Sequence, residues 1–455
     1  MRIRRQLGRD RARSIPRRAA RGIPPGPLAP RAVQTAALLR DPMGFLGRCE
    51  RRYGPVFRVK LIGFPRFVYV TDPALAREVY ATDRTIGRAS PGRKDFLEPL
   101  VGEKSLLCLE GEEWLRHRKL IGPAFHRREV DGYAEEIARL ARETLRDLPT
   151  GEPVALRPWM QRITLEIILR LVFGVTDEGR LARLRLLLPR LIDAGASPLL
   201  WVVPSRLMDS RLVRRVPSTL GRFLALRDEV DRLVHAEIAE RRAAGTEGRT
   251  DVLSRLLDAH EDGHPPLTDV ELRDELVTLL VAGHETTATA LAWTFERLVR
   301  HPEALERLSS GDEEYLRAVV KESLRARAVV IDTPRLLDGP LRLGDHAIPA
   351  GWYVSPVIGL VQRTGGADEF RPERFLDDGA GREAWIPFGG GKRHCVGSHL
   401  ALLEIEVITR EVVTAFDLEA VEAAPEPAKL QHVTLVPRDL GMVRARARVP
   451  AASHR

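Results

Sequence analysis

Residues 388–397 read Phe388-Gly389-Gly390-Gly391-Lys392-Arg393-His394-Cys395-Val396-Gly397, and no other stretch of the 455-residue chain is as informative. One cysteine stands in a glycine-rich loop, directly before an apolar-periodic segment that predicts a helix from Ser398 to about Val412. A thiol just ahead of a helix N-terminus, beside Arg393, should have its thiolate favoured by the helix dipole and by the cation. Glycines permit tight turns and the close approach of a flat ligand. The loop therefore predicts a thiolate that is offered to a metal centre.

A second motif, Ala282-Gly283-His284-Glu285-Thr286-Thr287, lies inside a long helical pattern. A capping box at Thr268–Glu271 predicts the start of this helix, which should continue to about Arg300 and span about 45 Å. A glycine in a helix interior costs about 1 kcal/mol relative to alanine. Gly283 should therefore serve a purpose, such as letting a bulky ligand lie against the helix. The two threonines can bond back to carbonyls one turn earlier and open the helix locally.

The two motifs resemble signatures of the cytochrome P450 superfamily, the haem-thiolate monooxygenases. The loop is similar to F-x-x-G-x-R-x-C-x-G, and the helix to [AG]-G-x-[DE]-T. The resemblance runs from about residue 23 to the C-terminus and implies an α+β, mostly helical cytochrome P450 fold with a helix-rich body and small β-sheets at one side. It implies one haem-binding domain over residues 23–455, after a basic and disordered tail over residues 1–22. It also implies haem b (iron protoporphyrin IX), with Cys395 as the axial thiolate ligand of the iron.

The resemblance carries further roles onto individual residues. Phe388, Gly391, Arg393 and Gly397 would shape the haem-binding loop around Cys395. Thr286 would hold dioxygen and its water through the side-chain hydroxyl, and Glu285 would relay protons from solvent. His284 is interpreted as structural, because a distal histidine ligand would block oxygen.

A third motif, W-x-x-x-R, places Trp114 and Arg118 on one face of a helix. Both side chains are donors suited to a carboxylate, and arginine can bind one bidentately. By the resemblance they would bind the haem propionates, with Arg335 and His394 as further candidates. The Trp114 indole could equally be part of the core.

Glu322 and Arg325 form an E-x-x-R pair, and Arg374 lies in Pro372-Glu373-Arg374-Phe375. Pairs at i, i+3 are common on solvated surfaces, so this motif is weak by itself. In the family, the equivalents of these three residues form a buried charge network on the cysteine side of the haem. The resemblance implies the same structural network here.

Composition limits the alternatives. The net charge is +9, but residues 1–21 contain nine arginines and one aspartate, so the remaining chain is nearly neutral and nucleic-acid binding is not expected. No apolar run is long enough for a transmembrane segment, and no signal-peptide core follows the first basic residues. Three widely spaced cysteines without a C-x-x-C pair fit a reducing cytoplasm, with Cys49 and Cys108 structural. A weak peripheral attraction of the basic tail to anionic lipid stays an open alternative.

Local patterns predict a few elements. Val56–Leu61 and Arg66–Val70 alternate around a Gly-Phe-Pro turn and predict a hairpin. Ser310-Gly311-Asp312-Glu313 predicts a second capping box, which should open a helix to about Arg327. Helical periodicity dominates the rest of the chain, but short strand-like pieces recur around residues 334–343, 346–356 and 431–445.

The function implied is that of a soluble, cytoplasmic monooxygenase of bacterial type, which inserts one oxygen atom from O2 into a lipophilic small molecule such as a terpene, fatty acid or polyketide-like metabolite. Electrons would come from NAD(P)H through separate partners, a ferredoxin and a ferredoxin reductase, because the chain has no flavin or iron–sulfur motif. A basic patch for an acidic ferredoxin would comprise Arg116, Lys119, Arg127, Arg128 and Lys392. Two alternatives stay open: a peroxide-driven haem-thiolate peroxygenase or isomerase, and a non-catalytic haem- or gas-binding protein.

Overall fold

The computed structural model describes residues 22–195, 218–260, 264–363, 369–376, 384–431 and 433–448. Residues 1–21 of the predicted tail lie outside the described residues. Within them, no helix combines the length and the apolar character that crossing a bilayer requires. The helices are α1 (Arg31–Arg40), α2 (Pro42–Tyr53), α3 (Pro73–Ala81), α4 (Pro91–Val101), α5 (Gly111–Ile121), α6 (Arg127–Asp131), α7 (Ala134–Leu145), α8 (Leu156–Ile167), α9 (Glu178–Gly195), α10 (Thr219–Ala244), α11 (Val252–Leu257), α12 (Asp269–Leu298), α13 (Pro302–Ser309), α14 (Glu313–Ala326), α15 (Ile358–Val361) and α16 (Ser398–Ala415).

The strands are short, and within the described ranges they form four small sheets. They are β1 (Val56–Val59), β2 (Phe67–Val70), β3 (Gly87–Arg88), β4 (Pro153–Ala155), β5 (Arg335–Leu337), β6 (Leu341–Leu343), β7 (His346–Ile348), β8 (Tyr353–Pro356), β9 (Phe416–Ala420), β10 (Ala428–Gln431), β11 (Thr434–Pro437) and β12 (Met442–Ala447). The largest sheet has the order β1-β2-β8-β5-β3, and a three-stranded sheet has the order β4-β12-β9. The pairs β6-β7 and β10-β11 stand alone.

The predicted hairpin is confirmed. β1 and β2 pair antiparallel, with Val56 opposite Val70 and Val59 opposite Phe67. β2 continues the sheet by pairing in parallel with β8, and every residue of both strands is buried. Strands covered on both faces need continuous apolar runs, which Phe67–Val70 supplies.

Helix α12 is the central element of the molecule. The side chain of Thr268 accepts from the Glu271 backbone N–H, while Glu271 accepts from the Thr268 N–H at 2.8 Å, so the predicted capping box is present. The helix has 30 residues, which corresponds to about 45 Å, and most of its side chains are buried. It packs against α8, α16 and β11, where the Trp293 indole N–H donates to the Leu435 carbonyl at 2.7 Å.

The second predicted capping box is wrong by two residues. Asp312 is the N-cap of α14, and its side chain accepts from the Tyr315 N–H at 2.8 Å. Ser310 instead ends α13, where its hydroxyl donates to the Arg307 carbonyl. Gly311 lies between them with φ +83°, a conformation that closes one helix before the next begins.

Candidate functional site

The cysteine loop is held by its own backbone. The Cys395 N–H donates to the Phe388 carbonyl at 3.1 Å, which closes the loop just before α16. Gly389 and Gly391 both have φ +70°, the left-handed region that favours glycine. A Cβ at Gly391 would also lie 2.7 Å from the Tyr80 carbonyl oxygen, so no larger residue fits there. The loop thus needs glycine for both conformation and space.

The Cys395 side chain lies deep in the protein and is nevertheless accessible to a water-sized probe. The two observations together place the sulfur at the wall of an internal space. Burial raises the pKa of the thiol, while a hydrogen bond from the Gly397 N–H and the charge of Arg118 act in the opposite direction. The thiolate is therefore not favoured in advance, and coordination to a metal ion would be needed to displace the proton.

Arg393 does not act on the sulfur, so this part of the sequence interpretation is wrong. Its guanidinium donates to Glu110 Oε2 at 2.5 Å and to the Leu109 carbonyl at 2.8 Å. The same group stacks over the Trp114 ring, with 4.3 Å between its central carbon and the ring centroid. Adjacency in sequence was misleading because the loop turns the two side chains apart.

Trp114 and Arg118 carry donors that no described residue satisfies. Trp114 is buried and Arg118 is half-buried on α5, yet neither side chain donates to any acceptor among the described residues. Burial lowers the pKa of Arg118, and interaction with Cys395 raises it. The donor atoms themselves are not closed off by the protein, so an acceptor from a ligand can reach them. The carboxylates of a haem beside Cys395 would supply such acceptors, so these residues fit the expected cofactor.

The Arg335 side chain already has several hydrogen-bond and ion-pair partners within the protein. It is buried, pairs with Asp83, and donates to the carbonyls of Thr333 at 3.0 Å and Pro334 at 3.2 Å. Its guanidinium also lies over the Tyr80 ring, with 5.4 Å between the central carbon and the ring centroid.

Arg93, at the start of α4, was missed by the sequence analysis. Its half-buried side chain has no hydrogen-bond or ion-pair partner among the described residues. Burial and the nearby charges of Arg335 and Arg393 lower the pKa of Arg93 to about 10, although Glu110, Asp83 and Asp332 also lie nearby. Guanidinium groups that repel one another point to an anionic ligand. No local pattern in the sequence marks this arginine, because its neighbours come from distant segments.

Gly397 and Phe388 complete the loop. Gly397 has φ −87°, which any residue adopts, and a Cβ there would meet no described atom within 4 Å. Neither its backbone nor the protein packing therefore explains a glycine, whereas a flat ligand against the Cys395 side of the loop does. The Phe388 ring lies edge-on to Trp385, with centroids 5.9 Å apart, and tilted against His394 at 6.3 Å.

One face of α12 opens onto an internal space at mid-length. Ala282 is exposed and Thr286 half-buried, although the residues around them on the helix are mostly buried. The Thr286 hydroxyl donates to the Ala282 carbonyl at 2.5 Å, as predicted, but α12 stays unbroken. The predicted local opening of the helix is therefore wrong. Packing also explains why residue 283 is a glycine, because a Cβ there would lie 3.3 Å from Ile168 Cδ1.

Glu285 faces α8 and forms a buried ion pair with Arg157. Its other oxygen accepts from Gln161 Nε2 at 2.6 Å. His284 is buried with Nδ1 3.1 Å from the Thr164 hydroxyl, and burial lowers the pKa of its imidazole to about 4, so it is neutral at pH 7. Arg157 and Gln161 were not identified from the sequence, since they lie more than a hundred residues from Glu285.

Thr287 turns away from the internal space towards α16. It is buried near the Glu404 carboxyl, and this contact acts to lower the pKa of Glu404. Burial without a cation raises the pKa of Glu404 to about 8, so this carboxyl keeps its proton at neutral pH. The two adjacent threonines therefore have different surroundings, and Thr286 is the one that faces the internal space.

Glu322, Arg325 and Arg374 form one buried network. Arg325 donates to both oxygens of the Glu322 carboxylate, at 2.7 and 2.9 Å, and Arg374 Nε lies 3.1 Å from Glu322 Oε2. The Arg371 backbone N–H adds a bond to Glu322 at 2.7 Å. Arg325 also donates to the Gln362 and Glu369 carbonyls, so it joins α14 to the segments ahead of the cysteine loop.

The other cysteines are buried, and burial raises the pKa of both thiols, that of Cys108 to about 12. Neither is suited to be a thiolate ligand.

The chain is similar to known proteins over almost its whole length. The family model described as cytochrome P450 matches residues 22–444. Cytochrome P450 135B1 of Mycobacterium tuberculosis is 38% identical over 441 residues, covering 94% of this chain and 92% of that protein. Cytochrome P450 135A1 of the same species is 37% identical over 429 residues, covering 92% and 94%.

Two solved structures share the fold. Retinoic acid-bound cyanobacterial CYP120A1 matches with a TM-score of 0.79 and 23% identity, covering 94% of this chain and 100% of that one. The haem domain of cytochrome P450DA matches with a TM-score of 0.78 and 24% identity, covering 95% and 98%. These likenesses agree with the mostly helical α+β architecture and its small sheets. The chain belongs to the cytochrome P450 family of haem-thiolate monooxygenases, in which a cysteine ligates the haem iron.

Proposed function

We propose that this monooxygenase binds haem b through Cys395 as axial ligand and oxidises a lipophilic small molecule with electrons from a ferredoxin. The observation that carries the proposal is the Cys395 thiol, which lies deep in the protein, is accessible from an internal space and accepts from the Gly397 N–H. The Cys395 backbone N–H donates to the Phe388 carbonyl and so fixes the loop. When bound, the haem supplies the activation of dioxygen and the transfer of one oxygen atom.

The test of this proposal is the spectrum of the reduced, haem-loaded protein under carbon monoxide. An anionic sulfur ligand should give a strongly red-shifted Soret band. Haem-loaded, folded protein without that band would contradict the assignment of Cys395. Turnover with peroxide alone, and none with a reductase system, would instead favour the peroxygenase alternative.

The haem propionates would be held by Trp114 and Arg118, whose donors are unsatisfied among the described residues. Arg93 joins them as a further candidate, because its guanidinium also has no partner there. Arg335 and Arg393 are already paired with Asp83 and Glu110. They would contribute positive charge around the propionates. To bind a propionate directly, each arginine would have to share its N–H donors between the propionate and its present carboxylate partner. Phe388, Gly391 and Gly397 would hold the flat porphyrin against the loop.

Thr286 and Glu285 would deliver protons. The Thr286 hydroxyl faces the internal space and can switch from the Ala282 carbonyl to a water or a reacting oxygen. Glu285 is anchored by Arg157 and Gln161, so it would have to leave this buried pair to carry a proton towards Thr286. The ion pair with Arg157 would then form again and return Glu285 to its buried position after each catalytic cycle.

Replacing Thr286 by valine is expected to uncouple oxygen consumption from product formation. Valine keeps the shape and removes the hydroxyl, so product per NAD(P)H consumed should fall roughly 100-fold, the lower end of what a positioned proton donor contributes. Thr286→Ser should keep most of the coupling. Thr294→Val is the matched control, because the Thr294 hydroxyl bonds back to the Ala290 carbonyl in the same way but in a fully buried position. Wild-type coupling in Thr286→Val would contradict the role of the hydroxyl.

A lipophilic substrate is supported by the surfaces that remain accessible inside the protein. Ala282 is exposed on α12, and Val329 and Val330 are half-buried after α14. Apolar walls with few polar groups favour apolar ligands. Terpenes, fatty acids and polyketide-like metabolites are the proposed classes, and spectral titration with such a panel would separate them.

An acidic ferredoxin is the proposed electron donor. Lys119, Arg127, Arg128 and Lys392 are exposed and would provide positive charge on one surface. Arg116 is withdrawn from this patch, because it donates to Glu271 at 2.7 Å and to the Pro265 and Pro266 carbonyls.

Charge reversal at Lys119 and Lys392 is expected to slow reduction by the ferredoxin about tenfold at low salt, with the difference shrinking at high salt. The rate constant is measured by stopped-flow absorbance at several ferredoxin concentrations. Arg232→Glu is the matched control, because Arg232 is an exposed cation on α10. Equal rates for the double variant and the control would refute the patch.

A further inference from the structure

A buried histidine joins α5 to α12. His117 and Glu275 are both fully buried, and His117 Nδ1 lies 2.7 Å from Glu275 Oε1. On the other side of the ring, His117 Nε2 lies 3.3 Å from Glu271 Oε1. The two glutamates are one turn apart on α12, and the imidazole lies between them.

Both ring nitrogens of His117 lie close to charged side chains. Nδ1 is next to Glu275, whereas Nε2 is next to Glu271 and 3.4 Å from Arg116 Nη1. Glu271 is also bonded by Arg116, at 2.7 and 3.2 Å. Two consecutive residues of α5, Arg116 and His117, therefore hold α12 through polar contacts to Glu271 and Glu275.

The attachment involves the helix that carries the proposed haem donors. Trp114 and Arg118 lie three residues before and one residue after His117 on α5. Arg118 interacts electrostatically with Cys395. Any shift of α5 against α12 would therefore move Trp114 and Arg118 relative to the cysteine loop.

Charged groups from three elements face the cluster. They are Glu113 and Arg116 on α5, Glu271, Arg273, Asp274 and Glu275 on α12, and Lys104 between α4 and α5. Burial raises the pKa of Glu275 to about 7, against hydrogen bonds from His117 and the Leu106 N–H that lower it. Near neutral pH, the cluster thus gains or loses charge at Glu275.

The cluster is not a metal site in this state. The ligand atoms of Glu113, His117 and Glu271 lie within 4.8 Å of one another, which is close enough to share an ion. However, Lys104 Nζ forms an ion pair with Glu113 at 2.7 Å, and Arg116 forms an ion pair with Glu271. Cations of the protein itself neutralise these carboxylates.

We propose that His117 is a positioning residue, which fixes α5 against α12 through Glu271 and Glu275 and so sets how firmly the haem is held and at what potential it is reduced. The inference rests on the proposed function of Trp114 and Arg118 as haem donors. Glu275 would make the reduction potential depend on pH: above about pH 7 it is ionised, the cluster carries one more negative charge, and the potential should fall.

The experiment compares His117→Phe and Glu275→Gln with wild type in the haem-loaded protein. His117→Phe should release haem to apomyoglobin about tenfold faster, since residues behind a cofactor ligand typically change affinity by that order. Glu275→Gln keeps the shape of the carboxyl group and cannot ionise, so its reduction potential should lose the wild-type slope between pH 6 and 8. His235→Phe, an exposed histidine on α10, is the control.

The outcomes separate this inference from the proposed function. Arg118→Ala is measured in parallel. If Arg118→Ala loses haem faster while His117→Phe and Glu275→Gln behave like wild type, the inference about His117 is overturned and the proposed function stands. Wild-type haem retention in Arg118→Ala overturns the role of α5 in haem binding, and this inference with it. If His117→Phe does not fold, an unchanged pH slope in Glu275→Gln is sufficient to overturn the proposal.

Discussion

Cys395→Ser is expected to abolish the red-shifted Soret band of the reduced, carbon monoxide-treated protein and to reduce monooxygenase activity to background. Serine has nearly the same shape, so the loop closed by the Phe388 carbonyl should persist. Its hydroxyl does not ionise in the protein, so it cannot offer the anionic, electron-donating ligand that favours O–O cleavage. The measurement is the difference spectrum together with the haem content per protein chain.

Cys49→Ser is the matched control for this substitution, because Cys49 is buried in a different core cluster, between α2 and the largest sheet. It should keep the spectrum and the activity, apart from a modest loss of stability. A thiolate-type spectrum that survives in Cys395→Ser and disappears in Cys49→Ser or Cys108→Ser would show that the wrong sulfur has been chosen.

Local signals in the sequence predicted the elements that position the site. The Thr268–Glu271 capping box marks the start of α12, because both partners lie within four residues. The loop glycines are also local, since the positive φ of Gly389 and Gly391 depends on the loop itself. Where two local signals overlapped, the prediction slipped: Ser310 and Asp312 are both good N-caps, and Gly311 decides between them.

Partners far apart in sequence could not be found in this way. Arg157 is 128 residues from Glu285, and His117 is 158 residues from Glu275. Nothing in a helical pattern says which charged side chain will meet which across an interface. The pairing of Arg393 with Glu110 shows the opposite error, in which closeness along the chain was taken for contact with Cys395. Only the resemblance brought Glu322, Arg325 and Arg374 together before the fold was known.

Arg325→Ala is expected to abolish soluble, haem-loaded protein. Glu322 is fully buried, and the substitution removes two of its hydrogen bonds while leaving its charge in place. The Gln362 and Glu369 carbonyls lose a donor as well. Breaking a buried pair by removing one partner costs about 3–5 kcal/mol, against a total stability of about 5–15 kcal/mol. The segments ahead of the cysteine loop would lose their attachment to α14, so haem binding should fail together with folding.

Soluble yield, haem content and the midpoint of chemical unfolding measure this effect. Arg410→Ala is the matched control, because Arg410 pairs with Glu313 at 2.8 Å on the surface and such pairs contribute only about 0–1 kcal/mol. Glu322→Gln provides a second comparison: it removes the buried negative charge but retains one carbonyl acceptor for Arg325, although it leaves that arginine unneutralised. It should therefore also be destabilised. If Arg325→Ala accumulates with the haem content and unfolding midpoint of Arg410→Ala, the network does not hold the cysteine side of the site together.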